Sequence, residues 1–160
     1  MATNARLPEP TSGPWVTSFD PLMFQSPFEA NYNVTYAQDT PFFQALAHGK
    51  LLGSHCPKCN YRYATPRTAC MRCGGQTQWF ELPKQGRIHS WTICFFSGEP
   101  YLKECPFMLG LVEFDGVDTL FLTRLIGLQR DEAKIGLPIK AMFRRKKTWS
   151  INDVYFVKAS

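Results

Sequence analysis

The chain has 160 residues, 44% of them hydrophobic and 14% aromatic, which suits one ordinary domain or a small metal module joined to a somewhat larger one. No stretch approaches the run of about 18 apolar residues that a membrane span requires, and the N-terminus lacks the basic and apolar regions of a signal peptide. We therefore expect a cytoplasmic protein with no membrane partner. The net charge of +5 is moderately basic and suits partners that carry phosphate groups.

Residues 1–38 are predicted to form an extended arm. Prolines in this segment break any helix and forbid a central strand: Pro8, Pro10, Pro14, Pro21 and Pro27. Large aromatic side chains recur every four or five residues: Trp15, Phe19, Phe24, Phe28, Tyr32 and Tyr36. A solvated linker would not carry so many apolar rings. We predict that these candidate docking residues fill pockets, either on the chain's own body or on a partner subunit.

Residues 39–83 are predicted to form a short helix followed by a metal-binding ribbon. Thr40 is the expected N-cap, Pro41 suits the first helical position, and Gly49 ends the helix. Strands are expected over 51–55, 61–64 and 78–82, around two cysteine-containing turns. This order of elements is typical of a zinc ribbon.

Two C-x-x-C pairs, Cys56 with Cys59 and Cys70 with Cys73, are separated by ten residues and give the strongest signal in the sequence. Each turn lets two sulfurs converge on one ion at about 2.3 Å, and two such turns complete a closed tetrahedral Cys₄ shell. Asn60, which follows the first pair, accepts the positive φ that such a turn needs. We predict one structural Zn²⁺ per chain, held by reduced thiolates as in the cytosol; a redox dithiol pair or an iron site is the alternative.

Residues 84–160 are predicted to be all-β. Alternating runs rich in β-branched and aromatic residues predict strands over 86–96, 107–114, 119–126, 139–145 and 151–157. Asp115-Gly116 is a tight-turn signal between the second and third strands, and 127–134 is expected to hold one short helical turn. Five short strands predict a small OB-type barrel, with a β-sandwich as the alternative. The expected fold class is mostly β: an extended arm, a short helix, a Cys₄ zinc ribbon and a C-terminal five-stranded barrel.

Four segments carry a resemblance to a known family: FFQALAHGKLLGSHCPKC, ACMRCGG, PFMLGLVEFDGVDTLFLTRLIG and AKIGLPIKAMFR. In this order, over about 42 to 157, they resemble the family of small acyl-CoA-associated proteins built from a zinc ribbon and an OB-fold. The aromatic arm also resembles that of small thiolase subunits in anaerobic aromatic degradation.

The resemblance implies a non-catalytic subunit of a hetero-oligomer. Family members are typically small partners of thiolases or related acyl-CoA enzymes, so we expect a thiolase-type catalytic subunit as partner and a coenzyme A thioester as substrate of the complex. The catalytic residues would then lie on the partner. Pairing with another acyl-CoA enzyme, such as a hydratase, is the alternative within the family.

Basic residues are the candidate contacts for coenzyme A. In the run Arg144-Arg145-Lys146-Lys147, strand alternation would place Arg144 and Lys146 on one face, where paired cations suit phosphate groups. A solvated hairpin end is the alternative. Arg124 lies inside an apolar strand pattern and must find a carboxylate, a phosphate or a route to water, so it is a further candidate.

Binding of single-stranded nucleic acid is the competing hypothesis. OB barrels stack bases on aromatic side chains, and Trp91, Phe95 and Phe96 are available for such a platform. The pI of about 8.9 falls just short of a strong basic footprint, and Trp91 and Phe95 also suit a core. We therefore favour the acyl-CoA role and expect no nucleic-acid partner.

Overall fold

The structure, a computed structural model, describes residues 15–26, 28–33 and 35–159. The chain divides into two compact units, residues 1–34 and 35–160. Much of the predicted arm, including Pro8, Pro10, Pro14 and Pro27, lies outside the described residues. The domain boundaries expected from the sequence, 1–38, 39–83 and 84–160, remain predictions. Among the described residues, no helix has both the length and the apolar character needed to cross a membrane.

The first unit contains an antiparallel hairpin of β1 (Trp15–Phe19) and β2 (Leu22–Gln25). Asp20 and Pro21 form the turn between the strands, and a bulge shifts the register between Val16 and Ser18. Nearly all residues of this hairpin are exposed. The sequence predicted extended chain here but no pairing, because the prolines obscure a strand pattern that a turn at Pro21 permits.

Helix α1 (Thr40–Ala47) opens the second unit. Thr40 is its first residue and not its N-cap as predicted, because 37–39 already form a turn of 3₁₀ helix. The Thr40 hydroxyl donates to the Ala37 carbonyl at 2.7 Å. Phe42 and Leu46 form the buried face, and Gly49, at φ +72°, ends the helix as predicted.

The ribbon is a three-stranded antiparallel sheet in the order β4-β3-β5. The strands are β3 (Leu52–His55), β4 (Arg62–Tyr63) and β5 (Gln78–Glu81). Ser54 pairs with Tyr63 on one side and with Trp79 on the other. These strands match the three predicted within about one residue at each end.

The C-terminal strands close into a five-stranded barrel in the order β10-β8-β7-β6-β9, which confirms the predicted barrel. The strands are β6 (Gln85–Cys94), β7 (Phe107–Glu113), β8 (Phe121–Leu125), β9 (Pro138–Phe143) and β10 (Val154–Lys158). A short helix, α2 (Glu99–Leu102), lies between β6 and β7 and was not predicted. One helical turn lies within 127–134 as predicted, since the Gln129 carbonyl accepts from the N–H groups of Glu132 and Ala133 at 3.1 and 3.2 Å.

One hydrophobic core joins the helix, the ribbon and the barrel. Leu46 of α1 and Leu51 and Leu82 beside the ribbon strands belong to the same buried cluster as the barrel residues Phe121 and Phe156. The ribbon also hydrogen-bonds to the turn before β8. The Asp118 carboxylate accepts from the Arg62 N–H, and the Thr119 hydroxyl accepts from the Ala64 N–H, both at 2.8 Å.

A buried carboxylate fixes the loop between β9 and β10. Asp153 is 1% exposed and accepts hydrogen bonds from the backbone N–H groups of Thr148 and Trp149 and from the Thr148 hydroxyl, at 2.7–3.0 Å. Burial alone would raise the pKa of Asp153, but these hydrogen bonds outweigh it and hold the pKa below its ordinary value. The carboxylate therefore stabilises the loop in its charged form.

Asp153→Asn is expected to destabilise the protein by about 1–3 kcal/mol, because the amide that replaces one carboxylate oxygen cannot accept from the buried donors. Since the folded-state pKa is lowered, the carboxylate's contribution is present above its unfolded pKa of about 3.9 and is lost as pH falls through the folded value. Denaturant unfolding of both proteins from neutral to acidic pH measures the difference.

Asp131→Asn, at an exposed loop position, is the matched control and should change stability little. If the difference in unfolding free energy between wild type and Asp153→Asn stayed constant down to the most acidic pH, this account of the loop would be contradicted.

Candidate metal centre and ligand-binding surfaces

The four predicted cysteines converge on one point. Their sulfur atoms all lie within 4.8 Å of one another, with Cys56 Sγ 3.4 Å from Cys73 Sγ and Cys59 Sγ 3.5 Å from Cys70 Sγ. Sulfurs at about 2.3 Å from a tetrahedral Zn²⁺ would be about 3.8 Å apart, so the cluster fits this ion closely. The prediction that both C-x-x-C pairs belong to one site agrees with this geometry.

The local backbone explains why each pair turns inward. The Asn60 N–H donates to the Cys56 carbonyl at 2.8 Å, and the Gly74 N–H donates to the Cys70 carbonyl at 2.9 Å. Asn60 and Gly74 have φ of 57° and 68°, the left-handed conformation that these residue types tolerate best. The two turns thus repeat one geometry, and each points its cysteine sulfurs toward the other turn.

Tyr63 lies beside the cluster and is 1% exposed. Its hydroxyl accepts from the Met71 N–H at 2.9 Å, which leaves its own proton free to point at Cys70 Sγ, 3.3 Å away. This hydrogen bond lowers the pKa of Cys70 to about 6. The backbone N–H of Tyr61 favours the Cys59 thiolate, yet burial and the neighbouring sulfurs raise the pKa of Cys59 to about 12. Four thiolates so close together therefore need a cation, which Zn²⁺ supplies.

The metal centre is structural in design. Cys56 and Cys70 are buried, and Cys59 and Cys73 are half-buried. Four sulfur ligands fill a tetrahedral shell and leave no position for a substrate or an activated water. The residues present therefore hold the two ribbon turns together and carry no reaction step.

The basic run does not lie on a strand, as its predicted alternation required. β9 ends at Phe143, and the run follows in the loop that Asp153 fixes. Arg144, Arg145 and Lys146 line an open depression of about 580 Å³, and within the described part of the chain none of the three forms an ion pair. Lys147 does not line this depression; its Nζ donates to the Arg144 carbonyl and lies 3.5 Å from the Leu46 carbonyl.

Arg124 is neutralised inside the chain. Its guanidinium forms an ion pair with Glu104 and lies 4.0 Å from the ring centre of Phe107 and 5.3 Å from that of Tyr101. Only 15% of its side chain is exposed. Of the three partners that the sequence left open for this arginine, the structure shows the carboxylate.

The aromatic arm residues are divided between the two units. Those of the first unit are 59–86% exposed: Trp15, Phe19, Phe24, Phe28 and Tyr32. Tyr36 belongs to the second unit, where its ring stacks on Phe43 at 3.6 Å between centroids and its hydroxyl donates to the Trp149 carbonyl at 2.5 Å. Tyr36 thus packs on the chain's own body, one of the two alternatives for these residues.

The three histidines of the chain have local partners. His48 Nδ1 lies 2.8 Å from the Gln44 carbonyl, His55 packs edge-on against Phe80, and His89 Nδ1 lies 3.2 Å from a Glu113 carboxylate oxygen. Cys94 and Cys105, outside the metal cluster, are half-buried thiols. The described residues therefore contain no cysteine or serine paired with a histidine as nucleophile and base.

Sequence reasoning missed the roles of Tyr63, Glu104 and Asp153. A tyrosine next to a cysteine pair and an acidic residue in a loop occur in many sequences, so no local signal marks them. Their roles depend on contacts between residues 7, 20 and 5 positions apart, which only the fold brings together. The one available signal was Arg124 in an apolar strand pattern, for which a carboxylate was one of three expected partners.

The fold and the metal site define the class of protein: a structural zinc ribbon that shares its core with an OB-fold barrel. Comparison with family models gives the same division, since residues 43–78 match the ChsH2 rubredoxin-like zinc ribbon domain and residues 79–144 match the ChsH2 C-terminal OB-fold domain. The chain therefore belongs to the ChsH2 family of zinc-ribbon and OB-fold proteins, as its sequence resemblance indicated.

Individual relatives are more distant. A probable enoyl-CoA hydratase alpha subunit of Thermomonospora curvata is 27% identical over 100 residues, 61% of this chain. The chain spans only 30% of the length of that curated relative.

Two solved structures share the fold. An Ltp2-ChsH2(DUF35) aldolase matches with a TM-score of 0.59 and 22% identity over 81% of this chain and 96% of the matched one. A DUF35 family protein of unknown function from Sulfolobus solfataricus matches equally well, with a TM-score of 0.59 and 22% identity over 80% and 90% of the two chains. At this level of identity, the likeness shows a common fold.

Tyr63→Phe is expected to weaken Zn²⁺ binding by about 10-fold without abolishing it, because the variant keeps all four sulfurs but loses the hydrogen bonds to Cys70 Sγ and Met71. Competition with a chromophoric chelator measures the dissociation constant.

Tyr61→Phe is the matched control, since the Tyr61 ring packs edge-on against Tyr63 and, among the residues that the structure describes, its hydroxyl forms no hydrogen bond with a cysteine sulfur. Cys59→Ser, which removes a ligand, sets the lower limit and should leave less than one Zn²⁺ per chain. Equal affinities in Tyr63→Phe and Tyr61→Phe would show that the Tyr63 hydroxyl does not orient the site.

Proposed function

We propose that this chain is a non-catalytic zinc-binding subunit of an acyl-CoA enzyme complex, with a thiolase-type catalytic subunit as its partner. The observation that carries the proposal is the closed Cys₄ shell, together with three histidines that are all engaged away from any nucleophile. A protein built in this way supports a reaction by docking and by shaping a substrate site, while the partner supplies the reacting groups.

The comparisons support an acyl-CoA enzyme as partner in general terms. One relative is named as a subunit of a probable enoyl-CoA hydratase, and one structure of the same fold is described together with an aldolase. The choice of a thiolase among such enzymes rests on the resemblance of the arm and ribbon sequences. A hydratase partner is the alternative that the curated relative favours.

The basic depression is the part of the surface that suits coenzyme A. Arg144, Arg145 and Lys146 bring three cations to its rim, and Met142 and Tyr155 supply apolar wall. Arginine binds phosphate oxygens in pairs, and an apolar wall suits an adenine ring. We propose that the nucleotide end of the thioester lies here. Arg124 and Lys147, the other candidates, are already engaged within the chain.

The aromatic arm supplies the docking contacts in this proposal. Phe19 and Phe28 are 84% and 86% exposed, and large rings that remain in water are typical of residues that anchor a partner. The arm would place these side chains in pockets of the catalytic subunit, and the ribbon would remain as the rigid base.

Affinity capture of the full-length protein from its native host should recover a thiolase-type subunit in stoichiometric amount. Phe19→Ala/Phe24→Ala/Phe28→Ala is expected to weaken this association by more than about 10-fold, because truncation removes three anchoring rings. Calorimetry with the purified partner measures the association, and a thiolysis assay of the mixture measures the activity of the complex.

Phe95→Ala/Phe96→Ala is the matched control, since it removes two exposed rings outside the arm and should leave the association unchanged. Full thiolysis activity by the catalytic subunit alone, with no stable complex, would rule out the proposed role. Recovery of a hydratase instead would keep the subunit role and change the partner.

Arg144→Glu/Arg145→Glu in the assembled complex is expected to raise KM for the acyl-CoA by about 5- to 30-fold, with kcat nearly unchanged. Because these contacts are to a part of the substrate that does not react, their loss weakens binding of the substrate and of the transition state equally, which raises KM and leaves kcat unchanged. Arg130→Glu, at an exposed loop position, is the control. Equal KM values in the two variants would place the nucleotide elsewhere.

Nucleic-acid binding remains a second candidate because of one observation. Phe95 and Phe96, just beyond β6, are 73% and 80% exposed, as a base-stacking platform requires. Trp91, the third predicted member, packs against the barrel core instead. If labelled single strands bound with steep salt dependence and lost affinity in Phe95→Ala/Phe96→Ala, this role would replace the acyl-CoA role.

A further inference from the structure

A cavity lies where the barrel closes least completely. β8 pairs with β7 along all five of its residues, but its parallel pairing with β10 is confined to Leu125 opposite Phe156. Residues 151–153, which precede β10, form a 3₁₀ turn, and the only β-bridge between β10 and β8 among the described residues is that pair. The resulting seam cavity, of about 440 Å³, lies between Phe121–Arg124 and Ile151–Val154. This volume falls within the range of about 300–1,000 Å³ that is typical of small-molecule pockets.

The walls of the seam cavity are mostly apolar. Phe107, Leu109 and Phe121 line it, and Tyr101 of α2 contributes its ring. The charged and amide groups of its lining have partners within the chain, because the Asn152 side chain donates to the Tyr101 hydroxyl at 3.0 Å and Arg124 is paired with Glu104. The cavity is therefore suited to an apolar body without a net charge.

Thr123 is the exception among the lining residues. It is 6% exposed, and its hydroxyl is a buried side-chain polar atom with no hydrogen-bond partner within the described residues. The residue opposite it on β7 is Gly110, which offers no side chain to bond with. Buried polar groups almost always have a partner, so this hydroxyl calls for one.

A water bound to Thr123 alone would be poorly held. A buried water needs two to four polar groups around it; Asn152 and Arg124 already have partners within the chain, which leaves the hydroxyls of Thr65 and Ser97 as the other polar groups of the lining. A ligand atom can bond to a single hydroxyl if the rest of the ligand fills the apolar space. The partner that fits is an acceptor carried on a ring or on a similar apolar body.

We propose that the seam cavity binds a small, neutral, largely apolar ring compound through one carbonyl oxygen, which accepts a hydrogen bond from the Thr123 hydroxyl. This site is separate from the basic depression, and no lining residue is shared between the two. The proposal does not depend on the identity of the partner subunit, because it concerns the isolated chain.

The test uses the purified, zinc-loaded full chain and three probes with the same bicyclic skeleton: indanone, indane and indane carboxylate. Titrations followed by amide chemical shifts should show saturable binding of indanone, with the largest changes over 121–124 and 151–154. Indanone is expected to bind more tightly than indane, which lacks the acceptor, and more tightly than the anion, which meets no free cation.

Thr123→Val keeps the shape of the side chain and removes the hydroxyl. It should weaken indanone binding by about 3- to 10-fold and leave indane binding unchanged. Because the variant also removes an unpaired buried hydroxyl, it should be folded and at least as stable as wild type. Thr92→Val, at an exposed position of β6, is the matched control and should bind both probes as wild type does.

Leu122→Trp, at an exposed position on the rim, is expected to fill the cavity and abolish binding of both probes while the chain stays folded. No saturable shift with indanone would overturn the proposal. So would equal affinity for indanone in Thr123→Val and wild type, or tighter binding of the carboxylate than of the ketone, since that order would require Arg124 to exchange Glu104 for the ligand.

Discussion

The structure depends on the mutual repulsion of four thiolates and the ion that relieves it. The sulfurs of Cys56, Cys59, Cys70 and Cys73 lie within 4.8 Å of one another, and without a cation the pKa of Cys59 is raised to about 12. Zn²⁺ neutralises this repulsion, and its bonds to the four sulfurs fix both ribbon turns. The β4 strand then reaches the barrel through Arg62 and Ala64, whose N–H groups bond to the turn before β8. The ribbon that the metal fixes is in this way joined to the barrel by hydrogen bonds of its backbone N–H groups.

The shared hydrophobic core explains why ribbon and barrel do not behave as separate modules in the structure. A three-stranded ribbon of this size buries little apolar surface of its own and depends on its metal for stability. Leu51 and Leu82 fill the gap by packing with Leu46 and the barrel side chains Phe121 and Phe156. Gly110 contributes as well, because a Cβ at that position would lie 2.8 Å from Leu125 Cδ1, so the Leu125 side chain would have to shift from its position in the core. Helix, ribbon and barrel therefore share one packed core, from which the loops between the barrel strands extend.

Most elements that follow from local rules could be predicted from the sequence, and those that follow from distant contacts could not. Periodicity and turn chemistry gave the five barrel strands, the ribbon strands and the metal ligands. The strand pattern failed at Arg144, because the hydrogen bonds of Asp153 turn the chain out of β9 into a loop. It also gave no sign of the hairpin around Pro21 or of the acid that pairs with Arg124. Only the Arg124–Glu104 pair depends on residues far apart in sequence; the hairpin and the loop at Arg144 are local structures, which the prolines and the strand-like alternation of the basic run concealed.

The placement of charge divides the barrel surface into two different environments. At Arg124 the cation is paired, stacked on Phe107 and largely withdrawn from water, so the neighbouring cavity is neutral. At Arg144 and Arg145 the cations have no acidic partner within the described residues, so the depression beside them is positively charged. An arginine in a strand of a small barrel need not mark an anion site; what decides is whether a carboxylate can reach it. Here Glu104 reaches one arginine, and the loop fixed by Asp153 leaves the others available.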